Sequence, residues 1–283
     1  MARPVQNPNN TAYIMSIPLS PGEVHLWFCF NDDISTPQLQ VYRDNLLNPE
    51  ERARELRFHF ERDRKQFVIT RALVRTTLSR YVNAVLPAEW QFEAGSHGRP
   101  EIVQAAGAAI SFNLSHTAGL VVLAISNRGQ LGVDVENVAQ RPAPLEIAEH
   151  YFSASETVAL RSLPAADQGA RFFHYWTLKE AYIKAKSQGL SIPLADFGFR
   201  LPDAHATSEQ GTSNGDVRIE FFKPIEPDPA HWQFALLQAS PQHVASAGLH
   251  HAQPLQLRMH KIRPLLDEEN FHPLVLRQTK IAG

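Results

Sequence analysis

The segment Gly132-Val133-Asp134-Val135-Glu136 sets two carboxylates two residues apart within an apolar alternation. In a strand, residues i and i+2 share a face and lie roughly 6.5–7 Å apart. Leu131, Val133 and Val135 can then face a core while Asp134 and Glu136 project together from the other side. Carboxylates so close repel and shift each other's pKa unless a cation lies between them. Hard oxygen donors suit magnesium, which takes one or two carboxylates and completes its shell with water and substrate phosphate. By itself such a pair more often marks a solvated strand end.

A second cluster lies in Trp176-Thr177-Leu178-Lys179-Glu180-Ala181-Tyr182-Ile183-Lys184-Ala185. On a helix Trp176, Glu180 and Lys184 fall at i, i+4 and i+8, along one face. Glu180 can add a third carboxylate to a metal, and Lys184 can meet a phosphate one turn on. Taken alone, the same residues fit a surface Glu–Lys pair worth about 0.3–0.5 kcal/mol. Ser111-Phe112-Asn113-Leu114-Ser115-His116-Thr117 reads as a strand closing into a turn. Ser115 and His116 are neighbours in sequence, so their spacing does not make a serine–histidine nucleophile pair; His116 at a strand end can donate to a phosphate oxygen, or be simply one of thirteen histidines. In Gly98-Arg99-Pro100 a glycine–proline frame fixes a basic residue in a turn.

The elements that must carry these residues follow from periodicity. Residues 23–30 alternate as a half-buried strand, with Val24, Leu26, Phe28 and Phe30 on one side. Asn48, Pro49 and Glu51 supply an N-cap, a first-turn proline and a capping-box partner. Phe67, Val74, Leu78 and Tyr81 recur at helical spacing, which leaves Arg71, Arg75 and Arg80 as solvated residues of that helix. Strands are predicted at 109–114, 119–125 and 131–136, and the short turns between them suggest adjacent antiparallel neighbours. Ser153 and Glu156 form a second capping box before a long helix from about 167 to 187, stopped by Gly189. Residues 202–216 read as an exposed loop, and strands resume at 217–222 and 232–239. Helix-then-strands thus occurs twice, with a break near 126–145. The segment after about residue 255 mixes charged and apolar residues without clear periodicity.

The 283 residues are 43% hydrophobic and 20% charged, an ordinary globular composition with apolar material for one large core or two small ones. A formal charge of -2 supplies no global positive field for nucleic acid or an anionic membrane, so any polyanion must be held by a local cluster of bases. The single cysteine, Cys29, lies in an apolar run and reads as a buried small hydrophobe, which favours a reducing compartment. Neither a signal peptide nor an apolar run of roughly 20 residues is evident, so a cytoplasmic protein is expected.

Together and in order, Gly-Arg-Pro, Phe-Asn-Leu-Ser-His-Thr, Gly-Val-Asp-Val-Glu and Trp-Thr-Leu-Lys-Glu-Ala-Tyr-Ile-Lys-Ala resemble the surfactin-type 4′-phosphopantetheinyl transferases. The family's hallmark is a G-(V/I)-D-x-E strand followed some forty residues later by W-x-x-K-E-(A/S)-x-x-K; here Asp134 and Glu180 are 46 positions apart. The resemblance covers roughly residues 23–240. It implies an α+β fold of two similar α/β-layered halves, 1–130 on the adenine and 3′-phosphate side and 131–255 on the metal and pyrophosphate side, followed by a tail, 256–283. Coenzyme A would bind between the halves. The resemblance implies Asp134, Glu136 and Glu180 as Mg2+ ligands, with Lys184 at the pyrophosphate and Lys179 lining the site. Ser115 and His116 would contact coenzyme A phosphates, and Gly98, Arg99 and Pro100 would bracket the adenine. Arg54 would help hold the 3′-phosphate. A neighbouring position that is lysine in some relatives is Glu51 here, and Arg52 could substitute for it.

The activity so implied moves the 4′-phosphopantetheine arm of coenzyme A to a serine of an acyl or peptidyl carrier protein, releasing 3′,5′-ADP, with Glu180 as candidate base. Carrier domains are acidic helical bundles, so docking would use basic and apolar residues near the site mouth. The chain length matches the larger subgroup rather than the short trimeric one, and a monomer is expected. Two rivals use the same residues: a magnesium phosphodiesterase, which needs a water nucleophile and usually a second metal, and a non-catalytic coenzyme A or carrier-binding protein, which would require lost ligands.

Overall fold

Alternating apolar residues make Glu23–Phe30 the first strand, β1, with Trp27 and Cys29 on one face and Val24, Leu26 and Phe28 on the other, all buried. The computed structural model describes residues 16–95, 100–104, 110–127, 129–202 and 216–280. Helices α1 (Thr36–Asn45), α2 (Pro49–Glu55) and α3 (Glu61–Tyr81) follow β1. Helix α2 begins at the expected capping box: Asn48 Oδ1 accepts from Glu51 N at 2.8 Å, and Glu51 Oε2 accepts from Asn48 N at 3.1 Å. After a small hairpin, β2 (Phe92–Ala94) with β3 (Pro100–Ile102), come β4 (Ile110–Thr117) and β5 (Leu120–Asn127). The order then repeats: β6 (Gln130–Asn137), α4 (Ala148–Tyr151), α5 (Ala154–Arg161), α6 (Ala165–Lys186), a hairpin of β7 (Phe197–Arg200) with β8 (Arg218–Phe221), and β9 (Trp232–Ser240) with β10 (His243–His250).

The pairing repeats too. In the first sheet β5 lies between β1 and β4, and in the second β10 lies between β6 and β9. Each half is therefore a strand, a helical segment, a small hairpin and a returning hairpin, which is the α+β duplication expected. Helix α3 packs on the outer face of the first sheet through Val68, Ile69, Leu73 and Leu78 against Trp27, Val121 and Leu123. Helix α6 covers the outer face of the second through Phe172, Leu178 and Tyr182 against Phe234 and Leu236. The inner faces pack on each other, with Leu26, Phe28, Val122 and Ala124 against Val133, Val135, Leu237 and Ala247.

Chain past residue 255 feeds both sheets. Strand β11 (Gln256–Arg263) runs parallel to β1 and carries β12 (Asp267–Asn270) on its other edge, and β13 (Leu274–Gln278) joins β9. Its lack of periodicity has a physical cause: β11 and β12 extend the sheet beyond the helix-covered centre, and β11 buries mainly Ile262.

Three expectations are corrected. Strand β6 does not pair with β5, because both edges of β5 are already occupied by β1 and β4; the turn after Asn127 is instead the crossover to the second sheet. Strand β4 runs through Ser115, His116 and Thr117 rather than turning there, since all three remain in register with β5 up to the pair Thr117–Leu120. Arg71, Arg75 and Arg80 of α3 are not the solvated residues expected. Arg75 is fully buried, donating to the carbonyls of Pro87 (3.1 Å) and Trp90 (2.8 Å) and to Glu51 Oε2 (2.8 Å). Arg71 lies 3.4 Å from Glu51 Oε1, and Arg80 packs over Trp27 and pairs with Glu268. A turn, an aromatic face and a distant strand hold these cations, none of which a helical period reveals. Cys29 is buried as expected, and burial pushes its thiol up to about 12. Among the described residues, no helix is long and apolar enough to cross a membrane.

Candidate active site

Strands β4 and β6 are edges of different sheets, yet their polar sides meet. An antiparallel edge strand leaves alternate backbone N–H groups without a strand partner, and on β6 these are served by side chains of β4. Asn113 Oδ1 accepts from Val133 N (3.0 Å), Ser115 Oγ from Val135 N (3.3 Å) and Thr117 Oγ1 from Asn137 N (3.2 Å). The two-residue step on both strands makes this a ladder in which side chains replace one backbone, and it joins the halves beside the acidic strand. A buried N–H left unserved costs about 1–3 kcal/mol, so the ladder fixes the register of Asp134 against β4.

Asp134 and Glu136 point away from the inter-sheet core, toward α6, as the period-two reading required. Helix α6 comes unusually near because the residues between are small. A β-carbon on Gly132 would overlap the Ala181 carbonyl oxygen, and Thr177 Oγ1 lies 2.8 Å from Ser246 Oγ on β10. This contact delivers Glu180 and Lys184 to the acidic strand. Lys184 Nζ donates to Asp134 Oδ1 at 2.6 Å and to Ser115 Oγ at 2.8 Å, while Ser115 Oγ lies 2.9 Å from the same Asp134 oxygen. The other oxygen, Asp134 Oδ2, is buried with no hydrogen-bond donor against it among the described residues.

The electrostatics show mutual strain. Glu136 is pushed up to about 7, first by burial and then by the Asp134 charge, with Glu180 adding to it against Arg141 and Lys184. Glu180 is raised by burial and by Asp134, and Lys184 acts in the opposite sense. The carboxylate oxygens of Asp134, Glu136 and Glu180 do not all close to within 4.8 Å of one another, a spacing reached among the described residues by a different trio, Asp228, His231 and His250. Three like charges hold apart, with an ammonium on one of them. A buried acceptor without a donor, beside two carboxyls destabilised as anions, is a donor set suited to a hard divalent cation.

The other expected residues divide. His116 follows Ser115 on the opposite face of β4 and is exposed; nearby protein and the Lys184 charge hold its imidazole below the usual histidine range. Arg54 is exposed on α2, its guanidinium 5.8 Å from the Phe67 ring centre, on the side of α2 where Arg71 also packs on Phe67 at 5.3 Å. Arg52 is tied to the carbonyls of Leu47 and Asp44 at 3.1 Å, and Glu51 is occupied by Arg71 and Arg75. Pro100 opens β3; Gly98 and Arg99 lie outside the described residues.

Lys179 is not in the site. It is fully buried on another face of α6, donating to the carbonyls of Leu194 (2.8 Å) and Phe197 (2.7 Å) and pairing with Glu156 at 2.8 Å. Five helical residues separate it from Lys184, a turn of roughly 140° around the axis. Trp176, one turn before Glu180, stacks on Phe172 at 5.9 Å and meets Tyr151 edge-on. Sequence reasoning missed Asn113, Thr117 and Gly132. For Asn113 and Thr117 the signal is the polar alternation Ser111, Asn113, Ser115, Thr117 along one strand.

Two halves built alike, joined beside an acidic strand that faces a Glu–Lys helix, define a class that comparison with known proteins identifies. Residues 36–128 match the family described as "4'-phosphopantetheinyl transferase, N-terminal", and residues 130–247 match the "4'-phosphopantetheinyl transferase superfamily". The chain is 31% identical over 198 residues to the 4'-phosphopantetheinyl transferase Sfp of Bacillus subtilis (strain 168), covering 70% of this chain and 84% of Sfp. It is 34% identical over 177 residues to the 4'-phosphopantetheinyl transferase HetI of Nostoc sp. (strain PCC 7120 / SAG 25.82 / UTEX 2576), covering 62% of this chain and 73% of HetI. The chain belongs to the 4′-phosphopantetheinyl transferase family. Its activity is transfer of 4′-phosphopantetheine from coenzyme A to a carrier protein.

Proposed function

We propose that the transfer takes place where α6 meets β6, with Asp134, Glu136 and Glu180 holding a magnesium ion. The observation that carries this is the buried, undonated Oδ2 of Asp134 beside two carboxyls that burial and mutual repulsion raise. Magnesium bound there would polarise the pyrophosphate of coenzyme A as a Lewis acid.

The chain's own residues account for the rest. Lys184, now on Asp134, stands one helical turn from Glu180 and is placed to meet the pyrophosphate, where negative charge grows as the bond to the leaving group breaks. Glu180, one helical turn from Lys184 on the face of α6 that reaches the acidic strand, is the candidate to take the proton of the carrier serine hydroxyl. The serine oxygen then forms its bond to the β-phosphorus, the bond from that phosphorus to the bridging oxygen breaks, and 3′,5′-ADP leaves. Ser115 already spends its hydroxyl on Asp134, Lys184 and Val135, so its part is to orient the acid and the base-bearing helix. His116, exposed on β4 beside Ser115, meets a coenzyme A phosphate as a hydrogen-bond donor. Arg54 holds the 3′-phosphate, with Arg71 behind it on the same aromatic ring; Gly98, Arg99 and Pro100 frame the adenine.

The protein acts as a monomer in the cytoplasm, on acyl or peptidyl carriers. The test is incubation with coenzyme A, magnesium and a panel of apo carriers, read by mass spectrometry. A gain of one phosphopantetheine on the carrier serine, absent with Asp134→Ala, is expected. Hydrolysis of coenzyme A without carrier modification would replace this reading with a phosphodiesterase.

A further inference from the structure

Outside the transfer site, a second set of ligand atoms converges at the far end of β10. Asp228 and His231 stand at either end of the single turn Pro229–His231, and His250 is the last residue of β10. Asp228 Oδ2 lies 2.5 Å from His231 Nδ1 and 3.6 Å from His250 Nε2, and all three ligand atoms fall within 4.8 Å of one another. His250 Nε2 also donates to the Asp228 carbonyl oxygen at 2.9 Å, so the ring must move its proton to Nδ1 before Nε2 can ligate. The two imidazoles are 5.9 Å apart, and His250 is braced edge-on by the buried Trp232 at 5.1 Å.

We propose that Asp228, His231 and His250 form a binding site for a borderline divalent cation of the zinc type. Two imidazole nitrogens and one carboxylate oxygen are the donors zinc prefers, and its bonds of about 2.0–2.2 Å place neighbouring ligand atoms a little over 3 Å apart. The present separations bracket that value. Magnesium is disfavoured here, because it demands oxygen donors in a near-octahedral shell. The site is distinct from the acidic strand: His250 pairs with Gln130 at one end of β6, whereas Asp134 pairs with Ser246 further along.

The ligands come from two separate stretches of chain, so a bound ion ties them together. The stretch holding Asp228 also carries Glu226, which accepts from Tyr182 (3.2 Å) and Lys186 (3.0 Å) at the C-terminal end of α6. A cation on Asp228, His231 and His250 therefore clamps the segment against which the end of the Lys184-bearing helix leans. Its effect is on stability, and it stands independently of the roles assigned to Asp134, Glu136 and Glu180.

The test titrates metal-free full-length protein with cobalt(II), a visible-absorbing stand-in for zinc, at a pH where the imidazoles are neutral. One saturating equivalent with intense four-coordinate ligand-field bands is expected in the wild type and in Asp134→Asn, apart from any cobalt held with weak six-coordinate bands by the all-oxygen acidic site. Binding should weaken at least about tenfold in His231→Asn and in Asp228→Asn, as loss of even an outer-shell partner can cost that much. Both residues are half-exposed, so the variants should keep wild-type circular dichroism. Zinc should raise the melting temperature of the wild type and leave that of His231→Asn unchanged. No saturable binding, or binding abolished by Asp134→Asn and untouched by His231→Asn, overturns the proposal.

Discussion

Gly132 on β6 and Ala181 on α6 are in such close contact that a β-carbon at position 132 would overlap the Ala181 carbonyl oxygen and stand 2.6 Å from the Ala185 nitrogen. Both obstacles are helix backbone, so neither can swing away as a side chain would. Gly132→Ala must push α6 off the strand, and with it Glu180 and Lys184 off Asp134. We expect a loss of about 1–3 kcal/mol in urea unfolding, together with a fall in carrier modification larger than the lost stability explains. Unchanged transfer would mean the helix–strand approach does not set the site.

The two lysines of the helical motif should separate in their effects. Lys179→Ala leaves Glu156 buried without its cation, and Glu156 also accepts from Phe199 N at 2.8 Å. A destabilisation of about 3–5 kcal/mol follows. Lys184→Ala should instead keep the fold and lower turnover by about 10²–10³-fold, the range for loss of one donor to a developing charge. Thermal denaturation beside transfer kinetics at varied carrier concentration distinguishes them.

Ser115→Ala removes one hydroxyl from three partners. Val135 N–H loses its acceptor, and Asp134 and Lys184 lose a shared contact. The expected result is a 10–100-fold drop in kcat, on the order seen when a supporting hydrogen bond is lost, with a higher magnesium requirement. A rise in the KM for coenzyme A alone, with kcat intact, would assign Ser115 to substrate contact instead.

Stability should fall in mild acid through His260. Its ring stacks on Trp27 at 4.3 Å, and burial, with His25, Arg80 and Arg258 nearby, holds it down to about 4 from 6.5. The unfolded chain therefore binds more protons than the folded one between those values. Stability is full above pH 6.5 and is lost as pH falls toward 4, by at most about 3 kcal/mol from this group. His25, lowered chiefly by burial, acts with the same sign. His260→Phe should flatten the slope of unfolding free energy against pH; an unaltered slope would place the acid sensitivity elsewhere.

Periodicity made β1, β5, α3 and α6 legible because each buries a regular face, and capping chemistry located the starts of α2 and α5. Spacing also placed Asp134 and Glu136 on one side of a strand. The crossover after Asn127 was hidden, since a short turn looks alike whether the next strand pairs locally or enters another sheet. The burial of Arg75 depends on carbonyls of a turn twelve to fifteen residues on, and no local pattern encodes that. Lys179 differs: its angle from Lys184 on the helix is available from the sequence, while the shared motif implies a place at the site for both. The resemblance supplied the residues' names, and the helical geometry separated their roles.

The central claim is that Asp134, Glu136 and Glu180 grip a single divalent ion. Manganese(II) titration followed by electron paramagnetic resonance, with coenzyme A present, measures this without relying on turnover. One ion is expected at this site in the wild-type chain, with affinity at least about tenfold weaker in both Asp134→Asn and Glu180→Gln while their folds persist. Equal manganese affinity in wild type and Glu180→Gln would contradict it.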